Sequence, residues 1–210
     1  MKAVMSMPAS LMQLLNTLST LLSISTAFSF LDIKNAFESV PHNYIWQFLQ
    51  HMGVENSFID ILKLFYTGTS TFYCCGNLET HKVPIYKGVR QGCPLSMLLF
   101  SLSINTVLEA ISSINVPPFR IGESTIQVLA FADDIALVSN SDTDLQKLIN
   151  QAVTVTKYCG MEYRPEKCAY ICFPSEESHE TITVNNMPIK KLEPHEIYKY
   201  LGVPIGESID

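Results

Sequence analysis

Residues 129–138 read LAFADDIALV, a run of strand-forming apolar residues carrying two adjacent carboxylates, Asp133 and Asp134, at its centre. A carboxylate taken out of water loses several kcal/mol of hydration unless a positive group or hydrogen-bond donors compensate it. The period-2 apolar pattern on either side predicts two strands, 126–131 and 135–139, so that the acidic pair falls at the turn of a hairpin. Asp is a common turn former, and the pair alone is compatible with a purely structural role.

Working outward, a third carboxylate in strand context is Asp32, at the end of a predicted buried strand, SFLDI (29–33). If that strand lies beside the hairpin, Asp32 and Asp133 converge at one sheet edge. Neighbouring residues on a strand point to opposite faces, which gives Asp134 a supporting position. Carboxylates without a nearby His or Cys suit a hard, oxygen-preferring cation such as Mg²⁺.

The rest of the chain alternates helix and strand. Pro41 falls at a first helical position, Ile45, Phe48, Leu49 and Met52 share one face, and Gly53 ends that helix. A second helix, 57–66, opens on Ser57 and Asp60 in a capping-box arrangement. TSTFYCC and HKVPIYK read as paired strands joined through Gly76 and Asn77. Residues 94–111 are apolar enough for a buried helix, and 141–160 predict an amphipathic one capped at Ser141 or Asp142 and ended by Gly160. CAYICF and TITVNNMPIK are further strands, the second folding about Asn185 and Asn186. This order predicts an α+β fold, an antiparallel sheet backed by helices.

The chain has 210 residues, 47% hydrophobic and 16% charged, with a net charge of -6, which excludes a disordered chain. The 14 Lys and Arg are few for a protein that neutralises nucleic-acid phosphates unaided. The six cysteines lack zinc-site spacing and read as reduced, mostly packing residues. Residues 1–27 hold Leu11, Leu14, Leu15, Leu18 and Leu22 at helical spacing, which predicts an amphipathic helix with a signal peptide as the alternative, and polar residues interrupt the stretch too often for a membrane span. No membrane association is expected, and no basic localisation run separates nucleus from cytoplasm for an intracellular chain.

Five blocks in order, FLDIKNAFESVPH, GVRQGCPLSMLLFSLSIN, LAFADDIALV, GMEYRPEKCAYICF and YKYLGVPI, closely resemble the palm of reverse transcriptases from non-long-terminal-repeat (LINE-type) retrotransposons. The likeness runs from about residue 28 to 206 and makes 28–210 the palm domain, with a ferredoxin- or RRM-like antiparallel sheet. Residues 1–27 then correspond to the remnant of a fingers-to-palm connection. The resemblance implies RNA-directed DNA polymerase chemistry with an RNA template, a DNA primer and deoxynucleoside triphosphates, in an element that integrates into DNA. Asp32 and Asp133, with Asp134 beside them, match the residues that hold two Mg²⁺ ions, Mn²⁺ being the alternative. Such ions sit about 3.5 to 4 Å apart, one acidifying the primer 3′-hydroxyl and one neutralising the triphosphate.

Further roles follow from the same resemblance. Phe37 matches an aromatic gate whose ring clashes with a ribose 2′-hydroxyl, and the backbone N–H groups of Asn35 and Ala36 match triphosphate contacts. Gln91 and Gly92 match the loop touching the nucleotide sugar and templating base pair, with Arg90 adding charge near phosphate. Lys167 matches the general acid that protonates pyrophosphate. Tyr200, Leu201 and Gly202 resemble the primer-grip turn. Two positions depart from the family pattern: Met97 stands where proline usually follows LS, and Phe131 replaces the commoner tyrosine before ADD. The fingers, thumb and endonuclease expected around such a palm are largely absent from these residues. The alternative reading is a catalytically inactive palm remnant serving as an RNA-binding or interaction module. A nucleotide cyclase on a palm-like fold also uses metal-bound carboxylates but does not explain GVRQGCPLS or YLG.

Overall fold

The computed structural model describes residues 26–76, 78–90, 92–173, 181–193, 196–201 and 203–205. They divide into two compact units. One holds the chain up to Lys34, Ile104–Tyr158 and Glu162 onward; the other holds Asn35–Ser103 with Cys159–Met161.

The first unit is built on a five-stranded sheet. Its strands are β1 (Thr26–Asp32), β8 (Val128–Phe131), β9 (Asp134–Ser139), β10 (Ala169–Phe173) and β13 (Lys190–Lys191), in the order β13-β10-β1-β9-β8. All neighbours are antiparallel except β13 with β10. β1 is central and buried on both faces. Phe28 and Phe30 point to one side, into a core with Ala136, Val138, Ala169 and Ile171, covered by Phe119 and Leu192. By strand alternation Ser29, Leu31, Ile135 and Leu137 point to the other. That face is covered by α5 (Asp142–Tyr158), which packs on β1 and β9 with Leu145, Leu148, Ile149 and Ala152 fully buried. Ser141 Oγ accepts the Asp144 N–H at 3.1 Å, the expected N-cap.

Two short hairpins flank this sheet. β6 (Phe119–Ile121) and β7 (Ser124–Ile126) turn at Gly122, a pair that the sequence reading misses. β11 (Thr183–Val184) and β12 (Met187–Pro188) turn on Asn185 and Asn186, both left-handed at φ 53° and 62°, as the Asn-Asn dipeptide predicts. β14 (Tyr198–Tyr200) pairs with β15 (Val203–Ile205). The helix expected over 1–27 lies outside the described residues, apart from Thr26 and Ala27, which open β1.

The second unit holds α1 (Ala36–Ser39), α2 (His42–His51), α3 (Asn56–Tyr66), the first half of α4 (Pro94–Ser113) and two small strand pairs. β2 (Ser70–Thr71) pairs with β5 (Val83–Pro84), and β3 (Cys74–Cys75) with β4 (Leu78–Glu79). Pro41 precedes α2 rather than opening it, and Met52 is exposed. The capping box at Ser57 is not formed: α3 starts at Asn56, and Asp60 pairs with Lys63 at 2.9 Å instead. α4 is long and apolar enough to cross a membrane by composition, but its buried Leu99, Phe100, Ile104, Val107 and Ile111 recur at the spacing of a core helix. Cys159, Cys168 and Cys172 are buried, whereas Cys74 and Cys75 are exposed, so packing accounts for only part of the cysteine set.

Gly88 carries a constraint that the sequence hides. Its φ is +88°, and a Cβ there meets the Glu38 Cα at 2.8 Å, while its N–H donates to the Val40 carbonyl at 2.8 Å. Gly88→Ala is expected to destabilise by about 1–3 kcal/mol from the left-handed backbone alone, with the backbone clash in addition. Gly53→Ala, at φ +77° with open space around it, isolates the conformational part at about 1 kcal/mol. Urea unfolding of the two variants measures the difference. Equal losses would refute the close approach of Gly88 to Glu38.

Candidate active site

The β1–β9 ladder sets the geometry of the acidic residues. Asp32, the last residue of β1, is the direct cross-strand partner of Asp134, the first of β9. Directly opposed residues project from the same face of the sheet, with Cβ atoms about 4.5–5.5 Å apart. That face is the aromatic one, because Phe30 and Phe28 share the parity of Asp32. Asp133 lies in the two-residue turn joining β8 to β9, after Ala132 in a left-handed conformation at φ 53°. The hairpin is the one that LAFADDIALV predicts, with its second strand beginning at Asp134 itself.

The carboxyl of Asp134 feels its acidic neighbours. Partial burial raises the pKa of Asp134, and the charges of Asp133 and then Asp32 raise it further. Asp134 is exposed as a residue, so the effect arises from protein crowded around its carboxyl end rather than from full enclosure. Asp32 is half-buried, and its Oδ2 is buried without a hydrogen-bond partner, although Arg164 Nε approaches to 3.5 Å. An orphaned carboxylate oxygen beside two further carboxylates is a donor set suited to a hard cation. Among the described residues, however, no three acidic, His or Cys side chains are gathered tightly enough to form a ready-made metal cluster.

The surroundings were only partly legible in sequence. The 3₁₀ turn Pro165–Lys167 brings Arg164 and Cys168 under the end of β1. The Arg164 N–H donates to the Asp32 carbonyl at 2.9 Å, the Asp32 N–H to Cys168 Sγ at 3.4 Å, and the Cys168 thiol to the Arg164 carbonyl at 3.3 Å. Burial, with lesser contributions from Asp32 and Glu166, holds the Cys168 thiol up at about 11 against the lowering effect of the Asp32 N–H. Tyr198 stacks on Phe30 with ring centroids 4.2 Å apart, and Tyr200 lies 5.5 Å from the same ring. Burial raises both phenols first, and the charge of Asp134 raises them further. Sequence reasoning assigned no role to Arg164, Cys168 or Tyr198. The alternation in YKY, which puts both tyrosines on one side of a strand, was the available signal for Tyr198.

Of the remaining sequence candidates, Lys167 is exposed at the end of the 3₁₀ turn, with its N–H on the Arg164 carbonyl at 2.9 Å. Tyr200 is buried and its hydroxyl donates to the Asp134 carbonyl at 3.1 Å, while Leu201 takes a left-handed φ of 50°. Gln91 and Gly202 lie outside the described residues. Asn35, Ala36, Phe37, Arg90 and Gly92 belong to the second unit. There Asn35 is left-handed at φ 48° before α1, Ala36 is buried, and Phe37 stacks on Phe100 at 4.4 Å. Arg90 lies over the Tyr66 ring at 5.7 Å, and Gly92 has φ +82° with open space around it.

Tyr200→Phe keeps the aromatic contact with Phe30 and removes only the hydrogen bond to the hairpin that carries Asp133. It is expected to cost about 1 kcal/mol of stability in urea unfolding and to speed amide exchange in β8 and β9. Unchanged exchange there would show that the hydroxyl does not brace the hairpin.

Comparison with known proteins bears on this geometry. The reverse transcriptase (RNA-dependent DNA polymerase) family matches residues 3–205. A Pol polyprotein from the type-1 retrotransposable element R2 of Popillia japonica is 29% identical over 184 residues, covering 85% of this chain and 30% of that protein. Its counterpart in Nasonia vitripennis is 30% identical over 181 residues, covering 82% of this chain and 18% of that protein. The chain thus spans less than a third of the length of these relatives. Among solved structures, telomerase from Candida tropicalis in complex with the TWJ fragment of telomeric RNA matches with a TM-score of 0.61 at 13% identity, over 89% of this chain and 32% of that one. The apo telomerase of the same organism matches with a TM-score of 0.56 at 13% identity, over 84% of this chain and 37% of that one. At that identity the likeness concerns the fold, and it agrees with an α+β palm. By the family match over nearly its whole length, the chain belongs to the reverse transcriptase family, as a domain of the non-long-terminal-repeat retrotransposon type.

Proposed function

We propose that this chain is the catalytic palm of a retrotransposon RNA-directed DNA polymerase, which joins deoxynucleotides to a primer 3′-hydroxyl opposite an RNA template. The observation that carries the reading is the facing pair Asp32 and Asp134 at the sheet edge, with Asp133 on the adjoining turn. Mutual repulsion among three carboxylates costs stability unless cations resolve it, and an arrangement that costs stability marks a functional site. Asp32 and Asp133 are the residues that would hold two Mg²⁺ or Mn²⁺ ions, with Asp134 beside them. When bound, such ions supply positive charge against the attacking hydroxyl and the triphosphate.

The chain's own residues do the rest in this reading. Lys167, exposed and free to swing on a flexible side chain, delivers a proton to the departing pyrophosphate. Phe37 discriminates against ribose, the stack on Phe100 holding its ring in one orientation. Asn35 and Ala36 offer backbone N–H groups to phosphate, and Arg90, Gln91 and Gly92 form the loop toward sugar and template. Tyr200, Leu201 and Gly202 form the turn that seats the primer end.

Primer extension on an RNA template with Mg²⁺ tests the proposal. The 210-residue chain by itself is expected to add few nucleotides, because phosphoryl transfer depends on holding primer, template and triphosphate in line, and about 1 Å of misplacement can cost on the order of 100-fold. Placed in the corresponding segment of a full-length R2 polyprotein it is expected to extend the primer. Asp133→Asn should lower that rate at least about 100-fold. RNA binding with no extension in either context would favour the RNA-binding module instead.

A second variant addresses sugar selection. Phe37→Val is expected to raise the ribonucleotide-to-deoxynucleotide ratio of kcat/KM, because selectivity is a difference in transition-state binding. An unchanged ratio, with only a loss of stability, would make Phe37 a packing partner of Phe100 and nothing more.

A further inference from the structure

We propose that Arg164 is a built-in counter-ion of the aspartate site: its guanidinium compensates Asp32 in the ion-free chain, and a divalent cation binds there in competition with it. This rests on the reading of Asp32 as a cation ligand and adds a residue which that reading does not contain.

The argument begins with how Arg164 is held. Its backbone is fixed on both sides, by the N–H to the Asp32 carbonyl at 2.9 Å and by a carbonyl that accepts from the Cys168 thiol at 3.3 Å and the Lys167 N–H at 2.9 Å. The side chain therefore starts from a defined point beside Asp32, and the backbone frame does not depend on the guanidinium. Nε stands 3.5 Å from Asp32 Oδ2, with side-chain exposures of 23% for Arg164 and 32% for Asp32. At that separation the charges attract, but Oδ2 gains no hydrogen bond and stays an unclaimed acceptor. A bidentate fork would have occupied both carboxylate oxygens and closed them to an ion. The observed contact is looser. It neutralises charge without saturating the ligand.

Chemistry makes the competition permanent. A guanidinium is charged at every physiological pH, so it cannot step aside by losing a proton. A unit positive charge a few ångströms from a divalent ion lowers affinity by roughly tenfold even at water-like dielectric. Without any ion, the same charge offsets the repulsion of Asp32, Asp133 and Asp134. Among the described residues Arg164 is the one ion-pair partner of Asp32. Positive charge at this site is thus supplied twice, and one supply must weaken the other.

The test is Mn²⁺ titration followed by electron paramagnetic resonance, with thermal melting of the same samples, on the 210-residue chain and its Arg164→Gln, Arg164→Lys and Asp32→Asn variants. Arg164→Gln is expected to bind Mn²⁺ roughly tenfold tighter, to melt lower than wild type without the ion and to gain more from adding it. Arg164→Lys, which keeps the charge, should return affinity toward wild type. If Arg164→Gln is unfolded without ions, refolding on Mn²⁺ addition supports the proposal and failure to refold overturns it. Equal or weaker Mn²⁺ binding by folded Arg164→Gln also overturns it, weaker binding meaning that Arg164 holds Asp32 in place for the ion. A separate result tests the underlying reading: wild-type Mn²⁺ binding that Asp32→Asn does not diminish would remove Asp32 as a ligand and the proposal with it.

Discussion

Two carboxylates facing one another across an antiparallel ladder is the constraint on which the rest of this structure turns. Like charges directly opposite each other destabilise a strand pair, yet Asp32 and Asp134 are held in register by β1, which is buried on both faces. The burial is what enforces the pairing. A slip of one residue would carry Phe28 and Phe30 away from the core with Ala136 and Val138 and move every side chain of β1 to the wrong face. The hydrophobic effect on the strand interior therefore overrides electrostatic repulsion at its end. The repulsion that remains shows in an orphaned Asp32 oxygen and a raised Asp134, with the Arg164 guanidinium 3.5 Å from Asp32.

The aromatic face explains how the acidic edge stays connected to the core. Tyr198 and Tyr200 both reach Phe30, two residues before Asp32 on the same face, and the Tyr200 hydroxyl holds the Asp134 carbonyl. The tyrosines contribute apolar ring surface below and a polar atom above, which suits the boundary between a dry core and a charged edge. Their raised pKa values follow from the same placement, since a phenolate there would lose hydration and meet the carboxylate of Asp134.

What the sequence disclosed depended on whether a feature was local. The hairpin around Asp133, the Asn185–Asn186 turn and the amphipathic α5 are specified by neighbours within a few residues, and each was legible. The capping box at Ser57 failed because Asp60 had a nearer partner in Lys63, and the β6–β7 hairpin was missed because FRIGESTI is too short to show alternation. Arg164 escaped notice for a different reason. Its importance lies in contacts to Asp32, far away in the chain, and nothing in GMEYRPEKC states them. The close approach of Gly88 to Glu38 is likewise a long-range fact. The two departures from the family pattern have a simpler account: Met97 is 53% exposed and Phe131 is 61% exposed, so neither substitution asks the core for room.

Charge bears directly on the proposed polymerase reading. In the proposed reading, a chain of net charge -6 with three carboxylates at one sheet edge would repel a triphosphate and two nucleic-acid strands alike, with a reach of about 10 Å at 0.1 M salt. Its 14 Lys and Arg cannot supply both counter-charge for the aspartates and a groove for the backbone. In the proposed reading, cations at the aspartates would answer the first problem, because they would supply positive charge that attracts phosphate oxygens. The second would fall, in that reading, to other parts of a longer polyprotein such as the relatives, of which this chain's match covers 30% and 18%. A full guanidinium charge at Arg164, 3.5 Å from Asp32 Oδ2 rather than in a bidentate fork, is consistent with that division of labour. In that reading it would offset part of the negative charge of the edge while leaving Asp32 Oδ2 open to an ion.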